Sequence, residues 1–205
     1  MPRPTGTRNQ DFEEKRDALV DGLMRFAVTA ELRRPSLRQF AIAVEVSEPT
    51  LRHYFKDRRG VIVAILEHMG KLGRSIREGL TSPCNDVASA VKSYYQVAAP
   101  GTQFDLYMRA HAFGLIEGIA DEAAGKAYLE YILEPALAVI SGKLSSTSGA
   151  PESALKLRAA SIAVLSPLLM IGIHQRLLGG AEEAPLDSGA TFDLLQTWLG
   201  EAIAD

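Results

Sequence analysis

Hydrophobic residues recur at helical spacing along almost the whole chain. Between Asp11 and Glu31, apolar side chains fall three and four residues apart, and charged side chains occupy the opposite face. No segment shows the sustained apolar–polar alternation with β-branched residues that is typical of strands. The pattern therefore predicts an all-α protein of about nine helices.

Proline, glycine and serine mark the joints between these helices. Pro35 ends the first helix, and Ser36 is a suitable cap for the next one. Pro135 and Pro167 lie inside later helical segments and are expected to kink them. The segment GGAEEAPLDSG, which starts at Gly179, is predicted to be a loop. The remaining helices are expected near residues 59–80, 85–98, 103–118, 121–147, 152–178 and 189–203.

Residues 36–58, SLRQFAIAVEVSEPTLRHYFKDR, contain two short amphipathic segments separated by a tight turn. Ser47 is a good N-cap for the second segment, and Pro49 is tolerated in its first turn. Helices this short are marginal alone, so they must pack on each other and on the preceding long helix. This is the pattern of a helix-turn-helix, whose second helix presents polar side chains to a DNA groove. The apolar positions are Leu37, Phe40, Ala41 and Val44 on the first helix and Leu51, Tyr54 and Phe55 on the second.

The same stretch resembles the DNA-binding module of the TetR family of transcriptional repressors. The matching positions are Ser36, Ala41, Glu45-Val46-Ser47, Thr50-Leu51-Arg52-His53-Tyr54-Phe55 and Arg58. The resemblance implies a three-helix DNA-binding domain at residues 1–60 and a larger helical bundle at residues 61–205 for ligand binding and dimerisation. It also implies double-stranded DNA with a palindromic operator as the partner.

Two positions depart from the family pattern. Glu45 stands where the family has a turn glycine, and a left-handed backbone there costs a residue with a Cβ about 1 kcal/mol. Arg52 stands where a tyrosine is usual. We expect Arg52 to keep a DNA-backbone contact, with a base contact as the alternative.

The polar residues of the motif have separate expected roles. Ser36 begins a helix and is expected to hold a phosphate, and Ser47 caps the second helix. Tyr54 and Arg58 are expected to anchor phosphates, although the Tyr54 ring fits a place in the core equally well. The candidates for base contacts are Arg38, Glu48, Pro49, Thr50 and His53. The alternative for the whole set is an ordinary solvated helix face.

Charge divides unevenly along the chain. Residues 1–60 contain 12 Lys and Arg against 9 Asp and Glu, whereas residues 61–205 contain 10 against 16. The net charge of the whole chain is −3. A basic N-terminal part on an acidic body indicates that only the N-terminal part meets a polyanion, unless the partition arose by chance.

The C-terminal part is expected to dimerise and to bind a small hydrophobic effector. By the resemblance, segments 152–178 and 189–203 pair with those of a second copy in a four-helix bundle; the alternative is that they are internal core. Middle and later helices supply candidates for a ligand pocket, each of which also fits an ordinary core position. These candidates are Tyr107, His111, Glu117, Tyr131, Met170 and His174.

Motifs for catalysis and metal binding are missing from the sequence. It has no HExxH, GxSxG, P-loop or dinucleotide-binding motif, and its four histidines are scattered. We therefore expect no cofactor, no metal and no enzymatic activity. The predicted function is a repressor that a hydrophobic ligand releases from its operator; the alternatives are a DNA-binding dimer controlled by a partner protein and an all-helical enzyme.

The sequence also indicates a location. The apolar run Ala159–Ile173 is short for a membrane span and contains Ser and Pro, so a buried helix is expected. The N-terminus lacks the apolar centre of a signal peptide, and the single Cys84 cannot form an internal disulfide. These features favour a cytoplasmic protein with no membrane association.

Overall fold

The computed structural model describes residues 5–29, 34–96 and 104–204, with the side chains of residues 5–9 and 104 excepted. Within these ranges the regular structure is helical, apart from one isolated β-bridge between Asp86 and Ser148. The all-α prediction is confirmed.

Eleven α-helices and two π-helical turns follow one another in the described ranges. The helices are α1 Thr5–Thr29, α2 Leu37–Ala43, α3 Glu48–Phe55, α4 Arg58–Gly79, α5 Val87–Tyr95, α6 Phe104–Ala120, α7 Glu122–Tyr128, α8 Glu134–Ser145, α9 Ala154–Gly172, α10 Gly180–Glu183 and α11 Ser188–Ile203. The π turns are Leu129–Leu133 and Ile173–Leu177.

Three features differ from the predicted helix pattern. The predicted helix 121–147 is interrupted by the first π turn, because Pro135 has no N–H to donate to the Tyr131 carbonyl and the ladder widens just before it. The predicted helix 152–178 likewise ends in a π turn. The predicted loop from Gly179 contains the short helix α10, which starts after the left-handed Gly179. The predicted helix ends at 31, 98 and 103 lie outside the described residues.

The chain divides into two compact units. The first comprises residues 1–72 and 112–132, and the second comprises residues 73–111 and 133–205. The first unit therefore takes in the end of α6 and all of α7 in addition to the helix-turn-helix. The functional boundary expected at residue 60 stays a prediction.

The core of the first unit is built on α1, α2, α3 and α4. Phe40 of α2 and Leu51 of α3 are completely buried, and the Phe40 ring packs edge-on against Phe26 of α1 with centroids 5.8 Å apart. Leu23 of α1 and Ile65 of α4 close the same core. The two short helices are thus held by apolar contacts with their longer neighbours.

Gly70 allows α4 to approach the first π turn closely within the first unit. A Cβ added at Gly70 would lie 2.6 Å from the Tyr131 carbonyl oxygen. This contact accounts for a glycine that weakens the helix it occupies.

The second unit contains a separate apolar core, in which α8 packs against α9 and α11 packs against α5. Leu144 of α8 and Leu168 of α9 are among its buried side chains. Lys143 is buried as well, and its ammonium donates to the carbonyls of Leu80 and Ser82 at 2.9 and 3.0 Å. These two bonds replace the hydration that the charge loses on burial.

One segment of the described chain, Ala154–Leu177, is long and apolar enough to cross a membrane by length and composition alone. Its most apolar window has a mean hydropathy of 1.6, yet only 28% of that window is buried. The buried helix expected here is therefore largely uncovered in the single chain. Leu155, Ile162 and Met170 are its exposed large apolar side chains.

We predict that Gly60→Ala destabilises the protein strongly. An added Cβ would lie 1.8 Å from the Phe55 carbonyl oxygen, a backbone atom that cannot move without disturbing the end of α3. The expected loss in free energy of unfolding is about 1–3 kcal/mol, measured by urea denaturation. Gly79→Ala, in the same helix, is the control: the structure shows no contact within 4 Å of its added Cβ, so stability should be unchanged or slightly higher. Equal stability of the two variants would contradict the steric argument.

Candidate nucleic-acid interface

The start of α2 is fixed by a reciprocal capping arrangement. The Ser36 hydroxyl accepts the Gln39 backbone N–H at 3.2 Å, and the Gln39 side-chain oxygen accepts the Ser36 backbone N–H at 2.8 Å. Two donors that the helix leaves unsatisfied are thereby paired. Ser36 is exposed at this point, and its contact with a phosphate stays a prediction.

The turn between α2 and α3 has the left-handed residue expected from the missing glycine. Glu45 has φ of 54°, and the following Val46 donates its N–H to the Ala41 carbonyl at 3.0 Å. Glu45 is exposed, so its side chain gains little packing to offset the strain of its Cβ. The turn is thus held by the flanking helices against a local preference.

Helix α3 presents a polar surface on a capped and anchored support. The Ser47 hydroxyl accepts the Thr50 backbone N–H at 3.3 Å and lies 2.9 Å from the Thr50 hydroxyl. Leu51 and Phe55 point into the core. Among the residues predicted to contact DNA, Pro49, Arg52 and His53 of α3 and Arg38 of α2 are exposed, while Glu48 and Thr50 are half-buried. These residues contribute to the outer surface that the sequence analysis predicts to contact DNA.

Two residues of α3 interact along its outer face. An Arg52 guanidinium nitrogen lies 3.9 Å from the Glu48 carboxylate, one helical turn away. At this distance and exposure the pair is weak. Arg52 can therefore leave Glu48 for a phosphate or a base edge at small cost.

Lys56 ends α3 in an unusual backbone conformation. Its φ is 70° and its ψ is −57°, and the Asp57 N–H donates to the Phe55 carbonyl across it at 2.9 Å. This is a γ-turn with a positive central φ, which is rare and strained. The Lys56 side chain is exposed at the end of α3. Lys56 was not among the sequence candidates, although its charge and position next to the motif could have identified it.

The Tyr54 ring contributes to packing between α3 and α1. Its centroid lies 4.8 Å from that of Phe12 and 5.1 Å from the His53 ring. Tyr54 is half-buried, so the ring takes the packing role that was the alternative prediction. A phosphate contact from its hydroxyl stays a prediction.

Arg58 is engaged inside the first unit instead of pointing outward. Its two terminal nitrogens donate to Glu117 at 3.0 and 2.5 Å, and its Nε donates to the Pro35 carbonyl at 2.6 Å. The Glu117 side chain is 1% exposed, and Arg34 also reaches it, at 3.3 Å. Glu117 is buried but Arg58 is 27% exposed, so losing Arg58 costs only part of the about 3–5 kcal/mol typical of a fully buried pair. A phosphate contact by Arg58 would require breaking this arrangement.

The predicted ligand-binding residues do not form one group within either unit. Glu117 and Tyr131 belong to the first unit, and Glu117 is occupied by arginines. The other four belong to the second unit. Among them Met170 is 66% exposed on α9, so it does not line an internal cavity here. The His174 Nδ1 lies 2.7 Å from the Gln175 side-chain nitrogen, in the second π turn.

Tyr107 and His111 do lie together, next to Tyr94, in the second unit. The Tyr94 and Tyr107 hydroxyls are 3.1 Å apart, and the Tyr107 and His111 rings meet edge to face at 4.5 Å. Burial lowers the pKa of His111 to about 3 and raises the pKa of Tyr107 to about 12. The cluster is therefore uncharged at neutral pH. A slot between α4, α5, α6, α8 and α9 adjoins the two tyrosines, with a volume of about 10 Å³, room for at most one water.

No group of three or more metal-ligating side chains was found among the described residues.

Comparison with known proteins identifies the fold. No family model matches the chain, and no curated protein matches it. Among solved structures, the chain is similar to a crystal structure from Mesorhizobium loti MAFF303099 described as a TetR-family transcriptional regulator. The TM-score is 0.62, the sequence identity is 14%, and the match covers 94% of this chain and 96% of the other. The chain therefore has the fold of that structure, which is the fold that the resemblance of residues 36–58 implied.

We predict that Glu45→Gly stabilises the protein, because glycine adopts the left-handed turn without a Cβ clash. Glycine also has extra entropy to lose from the unfolded chain, so the expected net gain in free energy of unfolding is at most about 0.5 kcal/mol, measured by urea denaturation. Glu45→Ala, which removes the same side chain but keeps a Cβ, should leave stability nearly unchanged. If the two variants were equally stable, the backbone of Glu45 would not be strained.

Proposed function

We propose that the protein is a sequence-specific, DNA-binding transcriptional regulator and not an enzyme, and that it acts in the cytoplasm. The observation that carries this proposal is the outer face of α3. Pro49, Arg52 and His53 are exposed there on a helix that is capped at Ser47 and anchored by Leu51 and Phe55. The similarity of fold to a protein described as a TetR-family regulator supports it.

In this proposal α3 enters the major groove of double-stranded DNA. Side chains on its exposed face, together with Arg38, contact base edges, where Arg matches guanine and Thr or Pro contacts the thymine methyl. The start of α2 at Ser36 and the end of α3 at Lys56 hold phosphates on either side. Lys56 takes over the phosphate role that the sequence assigned to Arg58, since Lys56 is exposed and Arg58 is paired.

We also propose that the protein is a homodimer through α9 and α11. These helices pack on each other and carry an exposed apolar stripe. Only 28% of the apolar window of α9 is buried in the single chain, which indicates a partner surface. A two-fold dimer would place two α3 helices about 34–36 Å apart, to match a palindromic operator. The stripe consists of Leu155, Ile162 and Met170 on α9 and Leu194 and Trp198 on α11.

The regulator is proposed to be a repressor released by a small hydrophobic effector. The uncharged cluster of Tyr94, Tyr107 and His111 beside the slot in the second unit supports this role. A ligand-sized pocket measures about 300–1,000 Å³, so the slot must open to accept one. The effector then acts by its preference for the open state. Control by a partner protein is the second candidate, and thermal-shift screening with hydrophobic compounds separates the two.

We predict that the protein enriches an inverted repeat from a random duplex pool. The logarithm of its affinity for that repeat should fall linearly and steeply with the logarithm of salt concentration, because phosphate contacts release counterions. Thr50→Ala combined with Arg52→Ala should lose most of this affinity while keeping a native circular dichroism spectrum. A folded protein that enriches no sequence, even at low salt, would refute the proposed function.

We predict that Ile162→Glu converts the dimer to a monomer, measured by sedimentation velocity. The new carboxylate would lie in the centre of the apolar stripe, where a paired interface could not solvate it. The control is Ile119→Glu, which puts the same charge on a residue that is 86% exposed and lies outside the stripe. A dimer that survives Ile162→Glu, or one that Ile119→Glu disrupts equally, would exclude this interface.

A further inference from the structure

Glu117 is a buried carboxylate. It is part of neither the predicted DNA surface nor the slot in the second unit. It lies near the end of α6, 59 residues after Arg58, and belongs to the same compact unit as the helix-turn-helix. Its side chain is 1% exposed and receives hydrogen bonds from Arg58 and Arg34. A buried charge kept in this way by two guanidinium groups fixes the positions of both arginines.

Arg58 connects Glu117 to the start of α2 and to the end of α3. Its Nε donates to the Pro35 carbonyl at 2.6 Å, directly before Ser36, which caps α2. Its own backbone begins α4 two residues after Lys56, whose strained turn ends α3. One guanidinium therefore links the start of α2 and the end of α3 to the carboxylate of Glu117.

We propose that Glu117 is a positioning residue for DNA binding: acting through Arg58, it sets the orientation in which α2 and α3 meet the duplex. This inference rests on the proposed function. The fork of two bonds to Glu117, with the third bond to Pro35, requires the planar guanidinium. An arginine that served a phosphate would instead leave Glu117 buried with only the exposed, longer contact from Arg34.

Two substitutions distinguish an Arg58 that is bound to Glu117 from an Arg58 that contacts a phosphate directly. Lysine is a good phosphate ligand but cannot form a two-pronged bond to a carboxylate and also reach the Pro35 carbonyl. Glutamine at position 117 keeps the size of glutamate but removes its charge. Arg58→Lys and Glu117→Gln therefore break the link from opposite ends.

The test measures the affinity of the full-length variants for the duplex enriched by the wild-type protein, at several salt concentrations. Glu117→Gln and Arg58→Lys should each lose about tenfold in affinity, and the double variant should be no weaker than the weaker single variant, because both break one link. The slope of log affinity against log salt should stay at the wild-type value, since no phosphate contact is removed. Circular dichroism and melting temperature confirm that each variant is folded at the assay temperature.

Asp121→Asn is the matched control, because Asp121, the N-cap of α7, pairs with Arg59 at 2.9 Å at the same helix end but is half-buried and faces an exposed arginine. Asparagine can also cap α7, so affinity should stay within about twofold of wild type. An equal loss in Asp121→Asn would overturn the proposal, as would unchanged affinity in Glu117→Gln or in Arg58→Lys.

Tighter binding by Glu117→Gln, with a steeper salt slope, would also overturn the proposal. It would mean that Glu117 withholds Arg58 from a phosphate. If Glu117→Gln does not fold, Arg58→Lys, which keeps the charge, decides alone. Failure of the wild-type protein to enrich any duplex would instead refute the proposed function, before any variant is measured.

Discussion

Two helices of seven and eight residues form the candidate reading surface, and neither is long enough to be stable by itself. Their existence depends on the apolar side chains that they bury against α1 and α4. Phe40 and Leu51 are completely excluded from solvent, and Phe55 is nearly so. This shared core leaves the outer faces of α2 and α3 free to carry polar residues that contribute little to folding.

The same core also holds strain at both ends of α3. Glu45 and Lys56 have positive φ angles without being glycine; Glu45 lies two residues before the Ser47 cap, and Lys56 directly follows the helix. Such conformations persist only when their surroundings over-determine them. The Ser47 cap helps to hold the backbone before α3. After α3, the Asp57 carboxylate accepts the Gly60 N–H at 2.9 Å and so fixes the start of α4. The boundaries of α3 therefore constrain its orientation together with its buried face.

Local patterns in the sequence were enough to predict the helices and the short motif. The caps at Ser36 and Ser47, the left-handed Glu45 and the outward face of α3 follow from residue types at fixed spacing. The π turns were not predicted, because they depend on how the ladder adjusts near Pro135 and at the end of α9. The partner of Arg58 was not predicted either, since no local pattern links residues 59 positions apart. Met170, predicted to contact a ligand, lies exposed on α9, because spacing cannot tell a core stripe from an uncovered one.

The small volume of the slot beside Tyr94 and Tyr107 would reduce the apparent affinity of the protein for an effector that binds there. Because it is closed at rest, a compound would bind only the fraction of molecules that open, and its apparent dissociation constant would rise in inverse proportion to that fraction. Such a sensor would need a higher concentration of a compound that fits the open slot to reach the same occupancy. Substitutions that raise the open fraction would lower the apparent dissociation constant by the same factor.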